Sequence, residues 1–209
     1  MCCMEDPSIL RKAAVELETL RAVPKHDGKA FPRACHALLR ALPGNSQCVD
    51  CGNLNPDWAS VTYGVLLCVQ CSGRHRSYGV ATSRVRSITM DAWSHSQVLA
   101  LLEGGNEQLQ QFFHRHQMGN DSSCSALRYH TKAALFYRMH LEKHVEKVGD
   151  AGLYRGRQAS RQKCQPTPNQ ALERRSTEES STSSCSSNED VRSSLSSSVV
   201  GSRRSIIVQ

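Results

Sequence analysis

Cys48-Val-Asp-Cys51, sixteen further residues, and then Cys68-Val-Gln-Cys71-Ser-Gly-Arg-His-Arg76 form the stretch that decides the fold. Each Cys-x-x-Cys pair can hold a metal ion from one tight turn, and the loop between the pairs is long enough to bring both to one ion. Four thiolates complete a tetrahedral zinc shell, so no position remains for a catalytic water. We therefore expect one structural zinc ion on Cys48, Cys51, Cys68 and Cys71. The double spacing disfavours the alternative of two disulfides or four unrelated thiols.

Composition bears on the compartment and on the partners. The N-terminus lacks the apolar run of a secretory signal, and no apolar stretch reaches the roughly 20 residues of a membrane span. We therefore expect an intracellular chain, in which reduced cysteines favour zinc over disulfides. The formal net charge of +7 favours anionic partners, namely phosphates, nucleic acid or an acidic membrane surface.

Three regions are predicted: an N-terminal extension over residues 1–31, a zinc-stabilised α+β domain over residues 32–150, and a tail over residues 151–209. The extension carries an incomplete apolar stripe after Pro7, which predicts a marginal helix on the surface. In the tail, 14 of the 30 residues in 176–205 are serine, and no aromatic residue follows Tyr154. Such a segment cannot bury enough apolar surface to fold, so the tail is predicted to be disordered.

Within the domain, the patterns predict short strands among helices, which is why the fold class is α+β. Ser94 and Gln97 form a capping-box pattern ahead of an apolar helix, which Gly104 and Gly105 end. The predicted strands cover 60–67, with a break at Gly64, and 85–90. The predicted helices cover 35–42, Ser72 to Gly79, a segment after Ser94, a segment that Asn106 caps, and 131–148. The last helix carries Leu135, Met139, Val145 and Val148 near one face.

Four arginines follow the second cysteine pair: Arg74, Arg76, Arg84 and Arg86. They are consistent with a solvated basic face, with a zinc finger that binds a phosphate backbone, or with an arginine finger that offsets charge on a γ-phosphate during GTP hydrolysis. Spacing does not separate these interpretations. Position favours Arg76, because it would lie on a short helix that the metal holds in place.

Further motifs surround this stretch: Asn55-Pro-Asp-Trp58-Ala-Ser60, Gly64-Val65, Gly79, Val85-Arg86-Ser87 and Gly104-Gly-Asn106. Together with Cys-x2-Cys-x16-Cys-x2-Cys-x4-Arg, they make residues 32–150 resemble the Arf GTPase-activating protein family. The stretches from Trp58 to Gly64 and from Arg86 to Trp93 resemble most its Golgi-type branch.

The resemblance implies roles for particular residues. Cys48, Cys51, Cys68 and Cys71 would bind zinc, Arg76 would be the arginine finger, and Trp58 would lie on the surface that meets the GTPase. The alternative for Trp58 is an aromatic residue packed beside the metal. Tyr78 and the pair Ala81-Thr82 depart from the family pattern, which has Leu and then His with an apolar residue at these places.

By the same resemblance, the protein would stimulate GTP hydrolysis by a GTP-bound Arf-family GTPase in vesicle trafficking and would not itself hydrolyse a nucleotide. It would be cytoplasmic and recruited peripherally to membranes, with the Golgi as one site. Two other classes stay open. One is a nucleic-acid-binding zinc finger of the GATA type, which has nearly the same cysteine spacing. The other is a catalytically inactive adaptor that binds Arf.

Overall fold

Two strands of a three-stranded antiparallel sheet lie between the two cysteine pairs in the sequence, and the third strand follows the second pair. The computed structural model describes residues 6–23, 28–118 and 125–162, and its strands are β1 (Trp58–Ser60), β2 (Val65–Leu67) and β3 (Val85–Ser87). Their order is β2-β1-β3, with Trp58 opposite Leu67 on one side and Ser87 on the other. The break predicted at Gly64 within the strand over 60–67 is the turn of a hairpin, because Gly64 takes a φ of 65° and the chain reverses there.

Eight helices lie within the described residues and surround this sheet. They are α1 (Pro7–Arg21), α2 (Arg33–Ala41), α3 (Val69–Ser77), α4 (His95–Glu103), α5 (Asn106–Arg115), α6 (Ser125–Tyr129), α7 (Lys132–Asp150) and α8 (Arg157–Arg161). The α+β class is therefore confirmed. The capping box predicted at Ser94 and Gln97 is present at the start of α4, and Gly104 follows its last residue. No helix in the described ranges is both long and apolar enough to cross a bilayer.

The N-terminal helix α1 is part of the core. Its packing face is at most 5% exposed and consists of Ala13, Ala14, Leu17 and Leu20. The face packs against α2 and α4, and Glu16 accepts hydrogen bonds from the backbone N–H groups of Ala34 and Cys35 at 2.8 and 3.2 Å. A carboxylate there satisfies free donors in the first turn of α2. The prediction of a marginal surface helix is wrong for this face, because the surfaces that cover it belong to other helices and are not visible in the pattern of α1 itself. Whether a separate domain begins at residue 32 stays a prediction.

The backbones of Gly64 and Gly104 touch, and this contact joins the β1–β2 turn to the end of α4. Gly105 N–H donates to the Gly64 carbonyl at 2.7 Å. A Cβ on Gly104 would lie 2.3 Å from that same carbonyl oxygen, and one on Gly64 would lie 2.3 Å from the carbonyl oxygen of Ala100. Neither position has room for a side chain, because the atoms in the way belong to the backbone.

Gly104→Ala is expected to destabilise the protein by at least about 2 kcal/mol, since the added methyl forces two backbone segments apart. The measurement is the melting temperature by circular dichroism. Gly73→Ala is the matched control, because a Cβ there meets nothing within 4 Å and lies inside α3. It should be neutral or stabilising by up to about 1 kcal/mol. Equal melting temperatures for Gly104→Ala and the unmodified protein would contradict the backbone contact.

Asn106 was predicted to cap α5, but it is the first residue of that helix, and its buried side chain bonds other segments. Gly105 precedes α5 as its N-cap residue. The Asn106 side chain accepts from Leu66 N–H at 2.7 Å and donates to the carbonyls of Gln47 and Leu66 at 2.5 and 3.2 Å. Its own N–H donates to Asn45 Oδ1 at 2.8 Å. Asn106 thus ties α5 to β2 and to the segment that leads into the first cysteine pair.

The long helix α7 buries a different face from the predicted one. Its buried residues are Ala134, Tyr137, Leu141 and Val145, whereas Leu135 and Met139 are 42% and 48% exposed. Successive residues are about 100° apart around a helix, so Leu135 points well away from Ala134. Only Val145 of the predicted stripe is buried.

Residues 151–162 pack onto the carboxylate of Glu103, which is fully buried. Tyr154 and Ser160 donate their hydroxyls to it at 3.0 and 2.8 Å, and His144 Nε2 lies 2.8 Å from it. The prediction of a tail that starts at residue 151 did not anticipate these contacts, since Glu103 is far away in sequence. The serine-rich segment of the predicted tail lies outside the described residues.

Candidate metal centre and arginine site

The four predicted cysteines meet in one cluster. The Sγ atoms of Cys48, Cys51, Cys68 and Cys71 all lie within 4.8 Å of one another, and those of Cys51 and Cys68 are 3.5 Å apart. Tetrahedral thiolates at about 2.3 Å from zinc are about 3.8 Å from one another. No disulfide joins cysteines of the described residues. The cluster therefore fits a metal ion, as the spacing predicted.

Backbone hydrogen bonds shape both cysteine turns. Gly52 N–H donates to the Cys48 carbonyl at 2.9 Å, with Gly52 at a φ of 73°. In the second turn, Ser72 N–H donates to the Cys68 carbonyl at 2.9 Å and Cys71 N–H lies 3.5 Å from Cys68 Sγ. Cys68 is therefore the N-cap of α3, whereas the helix was predicted to begin at Ser72. Since Ser72 lies inside the helix, α3 begins within the metal cluster itself.

Arg76 lies in the last turn of α3 and is exposed. Its Cζ atom stands 4.6 Å from the centre of the Trp58 ring. A guanidinium over the face of an indole is attracted by the ring electrons. No carboxylate of the described residues forms an ion pair with Arg76. The side chain is thus oriented by Trp58, while its charge is available to an anion.

The other three arginines are placed differently. Arg74 is exposed on α3, about 200° around the helix from Arg76. Arg86 donates to the Ala92 carbonyl at 2.7 Å, which is a structural contact. Arg84 is exposed, and its backbone N–H donates to Thr62 Oγ1 at 2.9 Å. Of the four, Arg76 alone stacks on an aromatic ring among the described contacts.

Asp50, between the first two cysteines, is the centre of a buried polar cluster. Its side chain is 3% exposed and meets His75 Nε2 at 3.0 Å, the Tyr129 hydroxyl at 2.6 Å and the Arg128 guanidinium. Burial by itself would raise the pKa of the Asp50 carboxyl. Its hydrogen bonds with His75 and Tyr129 and the charge of Arg128 hold the pKa below its ordinary value. Asp50 is therefore a carboxylate that joins the first cysteine turn to α3 and α6.

Sequence reasoning did not find this cluster. Asp50 and His75 stand inside the cysteine motif, but nothing in their spacing indicates that they touch. Arg128 and Tyr129 are more than 70 residues from Asp50. The only available signal was that two residues capable of pairing flank the predicted metal ligands.

The departures from the family pattern lie directly after Arg76. The Tyr78 ring centre is 5.1 Å from that of His75, 5.8 Å from that of Tyr129 and 5.7 Å from that of His130. Arg138 of α7 donates to the Ala81 carbonyl at 2.6 Å. Tyr78 and Ala81 therefore connect the end of α3 to α6 and α7.

Comparison with known proteins decides the family. A family model described as "Putative GTPase activating protein for Arf" matches residues 33–148, which is more than half of the chain. The chain belongs to this Arf GTPase-activating protein family. The match includes the helices after residue 94, for which a small nucleic-acid-binding zinc finger has no counterpart.

Curated members of the Arf GTPase-activating protein family show the same similarity. ADP-ribosylation factor GTPase-activating protein 3 of Bos taurus is 48% identical over 101 residues, which is 48% of this chain and 19% of that protein. A human "Arf-GAP with coiled-coil, ANK repeat and PH domain-containing protein 3" is 48% identical over 75 residues, covering 36% of this chain and 9% of that one. The chain thus spans about a fifth or less of the length of these two relatives.

A solved structure supports the same family fold. It is described as a "putative GTPase activating protein for ADP ribosylation factor" from Cryptosporidium parvum, with a TM-score of 0.53 and 26% sequence identity. The similarity covers 59% of this chain and 99% of that one.

Proposed function

We propose that this chain stimulates GTP hydrolysis by a GTP-bound Arf-family GTPase and that Arg76 is its arginine finger. The observation that carries the proposal is the state of Arg76. It is exposed, has no ion-pair partner among the described residues, and stacks on Trp58 at the end of a helix that begins at the cysteine cluster. A finger supplied to another protein needs such a fixed base, because its catalytic value depends on where the charge stands.

In this proposal, Cys48, Cys51, Cys68 and Cys71 hold one zinc ion, which stabilises the start of α3. Four thiolates leave no open coordination position, so the ion has no part in the reaction with GTP. The reactive groups are the nucleotide, Mg²⁺ and water of the GTPase. Arg76 enters that site and offsets the negative charge that develops as the γ-phosphoryl group departs.

Trp58 is proposed to hold Arg76 before the GTPase binds and to contact the GTPase itself. A stacked guanidinium loses less freedom when it enters the partner site than a free side chain would, so less of the binding energy is lost on ordering it. The ring is half-buried, so one part packs on the protein and another part is open to a partner.

The test is to measure GTP hydrolysis by GTP-loaded Arf with and without the chain, and to measure binding of the chain to double-stranded DNA in the same buffer. We expect faster hydrolysis and no specific DNA binding. Specific DNA binding without an effect on hydrolysis would favour the zinc-finger alternative. Binding to Arf without faster hydrolysis would favour the inactive adaptor.

We also propose a weak peripheral contact with the cytoplasmic face of a membrane, with the Golgi as one site. The net charge of +7 supports it, because basic proteins are drawn to anionic lipids. Sedimentation with vesicles that contain phosphatidylserine checks this contact. Binding should fall as salt increases, whereas no binding at low salt would exclude it.

A further inference from the structure

We propose that His75, Ser83 and Ser60 are positioning residues that fix the orientation of Arg76. This inference rests on the proposed function, in which Arg76 is the arginine finger. It starts from a chain of buried hydrogen bonds that runs from Asp50 through these three residues.

The chain of contacts is continuous. His75 Nε2 is 3.0 Å from Asp50 Oδ2, His75 Nδ1 is 2.7 Å from Ser83 Oγ, and Ser83 Oγ is 2.7 Å from Ser60 Oγ. His75, Ser83 and Ser60 are each at most 2% exposed. A carboxylate only accepts, so His75 Nε2–H donates to Asp50. In the neutral ring, Nδ1 then accepts the Ser83 hydroxyl proton, and Ser83 Oγ accepts that of Ser60.

His75 is the anchor of the second half of α3. The buried residues of this helix are Cys71, Ser72 and His75. Cys71 belongs to the metal cluster, and the Ser72 hydroxyl donates to the Val69 carbonyl within the same helix. Of the three, only His75 connects the last turn of α3 to other elements through hydrogen bonds. Arg76 is the next residue, so a rotation of the His75 backbone would also move Arg76.

Strand β1 holds this turn at two points. Residues i and i+2 of a strand lie on the same face, so Trp58 and Ser60 are both directed toward α3. Trp58 stacks on the Arg76 guanidinium, and Ser60 reaches His75 through Ser83. The outer contact orients the end of the Arg76 side chain. The buried contact orients the backbone from which that side chain extends.

The expected effect of breaking the buried contact is on catalysis. A misplacement of about 1 Å can cost up to about a hundredfold in rate, because transition-state stabilisation depends on geometry. Partner binding uses a larger surface and depends less on one guanidinium. The loss should therefore appear in the hydrolysis rate at saturation and scarcely in the affinity for Arf.

The experiment compares Ser83→Ala with Ser77→Ala in the full chain. Ser77 is exposed at the end of α3, and in the described contacts its hydroxyl donates to the Arg74 carbonyl of the same helix, so it is the control. We expect Ser83→Ala to lower the saturating single-turnover rate on GTP-loaded Arf about tenfold, with the dissociation constant within about twofold. Ser77→Ala should leave both unchanged. If Ser83→Ala loses its metal or melts early, Ser60→Ala replaces it, because it removes only the far end of the chain.

A second readout needs no GTPase. The chain has two tryptophans, and Trp93 is fully buried, so quenching by acrylamide reports Trp58. Arg76 covers the Trp58 ring, so Arg76→Ala should increase quenching. Ser83→Ala should increase it toward the same value, and Ser77→Ala should not.

These measurements separate failure of the inference from failure of the proposed function. If Arg76→Ala abolishes stimulation while Ser83→Ala keeps the wild-type rate and quenching, the finger stands and the positioning role is overturned. A loss confined to Arf affinity overturns the positioning role as well. If Arg76→Ala keeps full activity, Arg76 is not the finger and that part of the proposed function fails. In that case, quenching of Trp58 alone tests whether Ser83 orients Arg76. Greater quenching in Ser83→Ala than in the unmodified protein supports this role, and equal quenching overturns it.

Discussion

Arg76→Lys is expected to lower the rate of GTP hydrolysis on Arf by at least about a hundredfold at a saturating concentration of the chain. Lysine keeps the charge but loses the planar fork that can meet two oxygens at once. Arginine fingers increase the rate by about 10³–10⁵, so a loss of about a hundredfold is close to the smallest contribution expected of a finger. Folding and metal content should not change, because the side chain is exposed and the residue lies outside the cluster. Arf affinity should change far less than the rate, since the lost interaction belongs to the transition state.

Arg74→Lys is the matched control for this prediction. Arg74 is the same residue type on the same helix and is also exposed, but it points to a different side. Its replacement should cost less than about threefold in rate, as expected for a peripheral charge. Full activity of Arg76→Lys together with inactivity of Arg74→Lys would show that Arg74, and not Arg76, is the finger. Full activity of both variants would contradict the finger mechanism.

Cys51→Ala is expected to unfold most of the domain, and strong chelation of the unmodified protein should do the same. Structural zinc contributes about 10–16 kcal/mol in small zinc domains, as much as the whole stability of a typical protein. Cys51 is the exposed member of the cluster, so its replacement removes almost no core packing. A large effect would therefore come from the metal. Circular dichroism and metal analysis, with one zinc expected per folded chain, check this prediction.

Cys35→Ala provides the control. If burial decided the loss of stability, Cys35→Ala would be the more damaging variant, whereas metal binding predicts that Cys51→Ala is. Cys35 is fully buried in the core and is not part of the cluster. Burial also raises the pKa of its thiol to about 12, so it is a neutral packing group. Its replacement should cost only about 1–2 kcal/mol and leave the metal content unchanged. A folded Cys51→Ala variant with the melting temperature of the unmodified protein would contradict a structural role for the metal. A folded protein that contains no zinc would contradict it as well.

The features predicted well from the sequence are those that depend on residues close together in the chain. The two cysteine turns, the capping box at Ser94 and the helix end at Gly104 each need only a few neighbouring residues. The break at Gly64 was also visible. Its reason was not, because the requirement for glycine comes from the backbone of Ala100 and Gly104, 36 and 40 residues away.

The features that sequence reasoning missed depend on contacts between distant residues. The stripe on α1 looked incomplete by itself, and its burial depends on α2 and α4. Asn106 looked like a helix cap, but its amide bonds β2. On α7, exposed Leu135 and Met139 carry the apolar pattern away from the buried face, and a hydrophobic count along one helix cannot distinguish the two faces.

The candidate site divides in the same way. The metal ligands and Arg76 were predicted from the motif and from the family resemblance. The stacking of Arg76 on Trp58 and the chain from Asp50 to Ser60 could not be predicted, because they join residues 8 to 25 positions apart that come together only in the fold.

The most direct test of the central claim is a single-turnover measurement of GTP hydrolysis by Arf with a saturating amount of the zinc-loaded chain. The proposed mechanism predicts a rate about 10³–10⁵ above that of Arf alone, the contribution expected of an arginine finger. A folded, zinc-containing chain that binds GTP-loaded Arf but leaves the rate at that of Arf alone would contradict it.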